Sequence, residues 1–126
     1  MLRNLLIVGA GGFIGSSLRY ISQLAVDKWV LTNFPLGTFV VNIVGCFIIG
    51  AFYGLAERGN FLSAELRLFL AVGFCGGFTT FSAFAADSLN LLKTNAPMLM
   101  LINVVGSVVL GVFAVYLGII LLRSIL

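Results

Sequence analysis

The sequence predicts an all-helical membrane protein, and three observations support that fold class. Of the 126 residues, 61% are hydrophobic and only 9% are charged, and the mean hydropathy is +1.20. Soluble domains commonly carry about 25% charged residues, so most of this surface cannot face water. The apolar residues form four segments, each near the length of about 20 residues that a helix needs to cross a bilayer. We therefore predict one four-helix transmembrane domain over residues 1–126.

The predicted spans cover residues 4–26, 37–56, 66–92 and 97–122. Three short breaks rich in charge and turn formers separate them, and the second break contains Asn60. Ser63 suits the start of the third helix, and Pro97 suits the first turn of the fourth.

The first span has two other interpretations. Arg3 before an apolar stretch is typical of a signal peptide, but glycines interrupt the stretch and it continues past a cleavage site. Gly9, Gly12 and Gly15 also resemble a dinucleotide-binding loop. That loop requires a βαβ unit, and the membrane-length apolar runs that follow argue against one. A transmembrane helix is the preferred interpretation.

Composition also limits the chemistry. The sequence has no histidine, which excludes imidazole metal ligands and Ser-His-Asp catalysis. Cys46 and Cys75 lie in apolar runs without metal-ligand spacing, so we expect small buried hydrophobic side chains. The net charge of +3 is small and unclustered, which argues against nucleic-acid binding. We predict that the protein is not an enzyme.

The basic residues specify orientation only weakly. Four arginines fall at the end that holds both termini, against two lysines at the other: Arg3, Arg58, Arg67 and Arg123, against Lys28 and Lys93. Because a bias in lysine and arginine sets topology, this distribution permits insertion both ways up. Antiparallel pairing of two copies is therefore allowed but not required. Glycines four residues apart predict close helix packing.

Polar residues inside the spans are functional candidates, because lipid makes them costly. Arg19 either reaches the interface, pairs with a backbone carbonyl, or places a positive charge at the mouth of an anion path. Asp87 is preferred as a helix-end charge, with a cation partner or a vestibule residue as alternatives.

The third span is too long for a straight helix across the bilayer. At 1.5 Å per residue it measures about 40 Å, against a hydrocarbon core of about 30 Å. Gly76 and Gly77 lie near its middle and predict a break, whose freed carbonyls bind ions in many membrane proteins. A glycine kink packed on a neighbour is the alternative. Phe81 and Phe84 share one face, which suits lipid, the core, or ring edges turned to a small anion.

Three motifs together resemble the CrcB/Fluc family of fluoride channels over essentially the whole chain. They are a glycine motif leading to Arg19, residues 35–38 leading to Asn42, and the segment from Gly73 to Ser82. The resemblance implies an antiparallel, dual-topology homodimer with the third helix broken in mid-membrane. It also implies two pores that pass fluoride selectively and passively out of the cytoplasm, across the cell inner membrane, and so confer resistance to fluoride.

The same resemblance assigns the site residues. Phe81 and Phe84 would line the pore with ring edges, Asn42 would donate an amide hydrogen bond, and Ser82 and Thr38 would continue a polar track. Arg19 would lie near the vestibule. A structural sodium ion at the dimer centre would be held by backbone carbonyls of Gly76 and Thr79.

Two positions depart from the family pattern. Ala83 replaces a threonine and removes one hydroxyl from the polar track, while Asp87 replaces the more common glutamate. Two rival functions remain open. A proton-coupled multidrug exporter needs a carboxylate deep in the first helix, where this chain has an arginine, and a purely structural subunit leaves the polar residues of span three unused.

Overall fold

The computed structural model describes residues 1–59 and 62–125; the expected turn residue Asn60 lies outside the described part. Every regular element in that part is helical. Four segments are long and apolar enough to cross a membrane: Leu2–Trp29, Leu36–Glu57, Ala64–Lys93 and Pro97–Ile125. The predicted all-helical class with four spans is confirmed.

Three of these spans are single helices. They are α1 (Leu2–Trp29), α2 (Leu36–Glu57) and α6 (Pro97–Ile125). Several of their ends extend by up to a turn beyond the boundaries expected from hydropathy. Backbone hydrogen bonds continue past the apolar core because the helix still satisfies its own amides at the interface.

The third span consists of several helical pieces. It begins with α3 (Ala64–Arg67), continues as a π-helix (Leu68–Cys75) and a short α4 (Gly76–Phe78), and resumes as α5 (Phe81–Lys93). Side chains cap both starts: Ser63 Oγ accepts from the Leu66 amide at 3.1 Å, and Thr80 Oγ1 accepts from the Ala83 amide at 3.2 Å. The helix is therefore interrupted near its middle, as the sequence predicts.

The break lies within the expected segment from Gly73 to Ser82, but not at its glycines. Thr79 (φ −91°, ψ 158°) and Thr80 (φ −149°, ψ 122°) are extended, whereas Gly76 (φ −62°, ψ −36°) is helical. Threonine favours extended backbone through its β-branch, and its hydroxyl suits a helix N-cap. The expectation that Gly76 and Gly77 break the helix is wrong: the threonines that follow them do so.

The glycines of this region serve close packing instead. A Cβ on Gly73 would lie 2.7 Å from the Val8 carbonyl oxygen, and one on Gly77 would lie 2.7 Å from the Gly12 carbonyl oxygen. Residues 68–78 therefore pack on α1, with backbone against backbone at Gly73 and Gly77. In lipid, where apolar side chains gain little by leaving their surroundings, such contact is a main source of helix association. Gly50 and Gly54 on α2 bring that helix onto α6 in the same way.

Both termini lie at one end of the helical bundle. Arg3 pairs with Glu65 at 2.8 Å, and Arg123 pairs with Glu57 at 3.2 Å. All four side chains are exposed, so each pair adds about 0–1 kcal/mol to stability. Since Glu57 and Glu65 flank the connection between α2 and the third span, the two pairs place that connection beside both termini.

Candidate functional site

A cavity of about 450 Å³ opens beside the break in the third span. Its walls come from α2, the π-helix, α4, the break itself, α5 and α6. The lining residues are Asn42, Gly45, Cys46, Ile49, Ala71, Cys75, Gly76, Thr79, Thr80, Phe81, Phe84, Ser107 and Val108. The structure thus brings Asn42, Phe81, Phe84, Gly76 and Thr79, all expected site residues, to one cavity.

Asn42 pairs with the backbone of Thr80. Its Nδ2 donates to the Thr80 carbonyl at 3.0 Å, and its Oδ1 accepts from the Thr80 amide at 2.8 Å. The side-chain amide thereby acts as a neighbouring strand would, satisfying both polar groups of an extended residue that lipid cannot satisfy. The second Nδ2 proton is left over for another acceptor, because a primary amide carries two.

Arg19 donates a hydrogen bond to the C-terminal end of the short helix α4. Its Nε donates to the Gly77 carbonyl at 3.0 Å, and the side chain is half-buried. A cation is favourable at the C-terminal end of a helix. Of the interpretations of Arg19 given above, pairing with a backbone carbonyl is the one observed; its role at a vestibule stays a prediction.

Phe81 and Phe84 form the aromatic side of the cavity. Their ring centroids are 5.6 Å apart at an interplanar angle of 47°. Phe81 is 78% exposed, while Phe84 is half-buried. Because the Phe81 ring has so little contact within the chain, its position is set by its place at the start of α5 rather than by packing.

The other two expected pore residues lie apart from this cavity. Ser82 is exposed, with its Oγ 3.2 Å from Thr80 Oγ1. Thr38 accepts a hydrogen bond from Gln23 Nε2 at 3.0 Å. Asp87 lies beside Thr38 within α5 rather than at a helix end. A role of Ser82 and Thr38 in one polar track stays a prediction.

Some carbonyl oxygens at the break accept a hydrogen bond, and others do not. The Cys75 oxygen accepts from the Thr79 amide and hydroxyl, the Gly77 oxygen from Arg19, and the Thr80 oxygen from Asn42. Among the hydrogen bonds found outside the helices, the carbonyls of Gly76, Phe78 and Thr79 accept none. Of these three residues, Gly76 and Thr79 line the cavity. These two oxygens therefore fit a hard cation, which prefers oxygen ligands.

Acidic and thiol ligands offer no substitute for those carbonyls. Within residues 1–59 and 62–125, no group of three or more cysteine, aspartate or glutamate side chains is placed to hold a metal. The free thiols differ in burial, since Cys75 is buried and Cys46 is half-buried, and both line the cavity.

Several polar residues at the site have no clear sequence signal. The Ser107 hydroxyl is buried without a hydrogen-bond partner in the described part of the chain. Asn103, only 1% exposed, donates to Ser88 Oγ at 3.0 Å, and Ser88 donates to the Phe84 carbonyl at 2.8 Å. The sequence reveals that these residues are polar and intramembrane, but not which helix each one faces.

Known proteins are similar to this chain over nearly its whole length. The family model described as CrcB-like protein, Camphor Resistance (CrcB), matches residues 6–119. A protein of Flavobacterium psychrophilum named fluoride-specific ion channel FluC is 41% identical, with 98% of this chain and 99% of that protein covered. The protein of that name from Phocaeicola vulgatus is 47% identical, covering 94% and 97%.

A further relative shows the same similarity. Methanosarcina acetivorans has a protein named fluoride-specific ion channel FluC 1 that is 44% identical to this chain, with 91% and 87% of the two chains covered.

Proposed function

The chain belongs to the CrcB family, and from this premise we propose that it is a fluoride channel. Its relatives are named as ion channels rather than enzymes. With four helices able to cross a membrane, the chain is a multi-pass membrane protein.

The cavity at the break is the observation that carries the proposal. It places the Asn42 amide, Thr80 and the Phe81 and Phe84 rings around one space, and none of its lining residues is acidic. A desolvated fluoride ion needs hydrogen-bond donors, and aromatic ring edges carry partial positive charge. Such donors are weak and sequential, which suits conduction because each site must also release the ion.

A second copy of the chain completes the pore in this proposal. Phe81 is 78% exposed, and a Cβ on Gly76 would meet no described atom within 4 Å. Both features lie at the cavity and leave room for a partner. The weak bias of basic residues, four at one end against two at the other, is compatible with antiparallel pairing, because neither orientation is strongly favoured. The dimer would then contain two equivalent pores.

A sodium ion at the centre of this dimer is the proposed structural cofactor. The carbonyls of Gly76 and Thr79 are the groups of this chain that would hold it. When bound, the ion would supply positive charge that joins the two copies. Oxygen-only ligands suit sodium better than a soft metal.

Flow through this pathway would be passive in this proposal, with the membrane potential as the driving force. A negative membrane potential drives an anion outward, by about 2.3 kcal/mol per charge for each 100 mV. Export from the cytoplasm across the cell inner membrane would keep internal fluoride low and thereby confer resistance to its toxicity.

Reconstituted protein tests the function directly. Vesicles loaded with potassium fluoride should release fluoride when valinomycin sets the potential, while vesicles loaded with potassium chloride should release almost none. The Phe81→Ile variant should slow or abolish release with the dimer intact on sizing, since it removes one ring edge.

Phe13→Ile provides the matched control, because Phe13 is also an exposed ring, 73% accessible, but lies on α1. Its release should equal that of the unchanged protein. Equal fluoride and chloride release would contradict a selective channel, and an unaltered rate in Phe81→Ile would remove that ring from the path.

A further inference from the structure

Two side-chain amides hold α5, and Phe84 lies between them. Asn42 on α2 pairs with the backbone of Thr80, which caps the start of α5. About two turns further on, Asn103 on α6 donates from Nδ2 to Ser88 Oγ at 3.0 Å. Of the thirteen residues of α5, all of which the structure describes, only one is buried. Apolar packing therefore does little to fix α5, and its position depends on these two polar connections.

The hydrogen bonds at Ser88 have a fixed direction. An amide nitrogen only donates, whereas a hydroxyl has one proton and two lone pairs. Since the Asn103 N–H occupies a lone pair of Ser88 Oγ, the Ser88 proton is directed to another acceptor. That acceptor is the Phe84 carbonyl, 2.8 Å away and one turn back on the same helix. The order is therefore Asn103 to Ser88 to the backbone of Phe84.

Burial makes this connection specific. Asn103 is 1% exposed and lies within the fourth span. A buried amide is costly unless it is hydrogen-bonded, and lipid supplies no substitute partner. Movement of α5 away from α6 would leave the amide proton of Asn103 without its acceptor. The two helices are therefore held together at Ser88.

The bond from Ser88 to Phe84 links this contact to the cavity. A serine that donates to the carbonyl one turn back often bends its helix. The Asn103 donor strengthens the bond, because hydrogen bonds in a chain polarise one another. The Phe84 ring lines the cavity, 5.6 Å from the ring of Phe81. A displacement of the Phe84 backbone therefore moves an aromatic wall of the candidate site.

We propose that Asn103 is a positioning residue that holds the Phe84 ring at the cavity through Ser88. This inference rests on the proposed function, in which Phe84 lines the anion path. Among the described residues, those that line the cavity include Phe84 but neither Asn103 nor Ser88. Asn103 thus acts on the path through the backbone of α5 and not on the ion.

Substitutions at the two ends of this chain of hydrogen bonds test it by transport. Asn103→Leu removes the amide and Ser88→Ala removes the hydroxyl. Each should slow release from vesicles loaded with potassium fluoride by about 2- to 10-fold, the range expected for one hydrogen bond. The double variant should be no slower than the slower single one. Ser88→Thr keeps the hydroxyl, which threonine also directs to a carbonyl one turn back, so its release should stay close to that of the unchanged protein.

Asn90→Leu is the matched control, since Asn90 is an exposed amide on the same helix as Ser88. Its fluoride release should equal that of the unchanged protein. An Asn103→Leu variant as fast as the unchanged protein would overturn the proposal. So would an Asn103→Leu loss that is just as large in the Ser88→Ala background, because that loss would not pass through the hydroxyl.

A fluorine label on the ring tests positioning without transport. With 4-fluorophenylalanine in place of Phe84, the ¹⁹F resonance of the full chain in detergent reports the surroundings of that ring. Asn103→Leu and Ser88→Ala should each shift the resonance, and Asn90→Leu should not. Asn103→Leu should add no further shift in the Ser88→Ala background. An unshifted resonance in Asn103→Leu overturns the proposal, even where fluoride release falls.

The spectra also separate this inference from the proposed function. If the unchanged protein releases no fluoride, the proposed function fails, and the fluorine spectra decide whether Asn103 positions Phe84. If Asn103→Leu does not fold, Ser88→Ala breaks the same chain of hydrogen bonds at a half-buried residue. A shifted resonance in that variant supports the proposal, and an unshifted one overturns it.

Discussion

The two halves of the third span are held to the rest of the molecule in different ways. Residues 68–78 pack on α1 through Gly73 and Gly77, backbone on backbone. α5 is instead connected by side-chain hydrogen bonds, from Asn42 to Thr80 and from Asn103 to Ser88. The half before the break is held mainly by close backbone packing, with one hydrogen bond from Arg19 at its end, whereas the half after the break is held by side-chain amides.

This difference explains why the cavity lies beside the break. Glycine packing brings two helices together and leaves no space between them, which suits a scaffold in lipid. A side-chain amide holds its partner a few ångströms away, and apolar space remains next to it. The candidate site therefore forms where side-chain hydrogen bonds replace close glycine packing.

A Cβ in the glycine contact should have the largest effect on stability. Gly15→Val would place its side chain against the Phe74 carbonyl and 3.0 Å from the Phe78 amide nitrogen. Backbone atoms cannot rotate away as a side chain can, so we expect a loss of about 1–3 kcal/mol or more. Thermal unfolding in detergent measures it.

Gly9→Ala is its control on the same helix. A Cβ on Gly9 would meet no described atom within 4 Å. Alanine should stabilise the helix by about 0.5–1 kcal/mol. If both variants unfold at the same temperature, contact with α1 does not hold the first half.

Removal of the Asn42 amide should have the next largest effect. Asn42→Leu leaves the Thr80 amide and carbonyl without their partner, which costs about 1–3 kcal/mol for a buried group. Fluoride release should fall as well, because the start of α5 loses its support. Unfolding and efflux are measured on the same preparation.

Asn42→Asp refines this prediction. A carboxylate still accepts from the Thr80 amide but sets a negative oxygen against the Thr80 carbonyl and buries an unpaired charge, so the variant should be at least as destabilised as Asn42→Leu. Stability equal to that of the unchanged protein in both variants would show that α5 is held by something other than this amide.

The junction between the halves should show the smallest effect on stability. Gly76→Ala adds a methyl group that meets nothing described within 4 Å, so unfolding of the single chain should change by less than about 1 kcal/mol. Under the proposed function the same methyl group lies where a second copy and a sodium ion would sit. Dimer content on sizing and fluoride release should then both fall.

A fully active, dimeric Gly76→Ala variant would argue against that arrangement. Strong destabilisation of the chain itself would instead mean that the junction belongs to the packed half.

The sequence predicts the interruption but not its position. Gly76 and Gly77 have a strong intrinsic preference against helix, yet both are helical. The helix is stabilised there because α1 packs closely against Gly77. Thr79 and Thr80 adopt the extended conformation instead, where the Asn42 amide supplies the missing hydrogen bonds. Local propensity cannot include a partner from another helix.

Site residues show the same limit. Asn42, Phe81 and Phe84 were expected at one site and do line one cavity. Thr38 was expected on the same path, but it lies outside this cavity and its hydrogen-bond partner is Gln23. Spacing along a helix gives the face of a residue, while the neighbouring helix decides what that face meets.

By itself, the sequence determined the membrane as solvent, the four spans and an interruption in the third, since length, hydropathy and the cost of unsatisfied backbone groups act locally along the chain. Only the tertiary structure decided that threonines rather than glycines break the helix, that Arg19 serves the Gly77 carbonyl, and that Gln23 meets Thr38. Those outcomes depend on which backbone and side-chain groups from distant parts of the chain come within hydrogen-bonding distance.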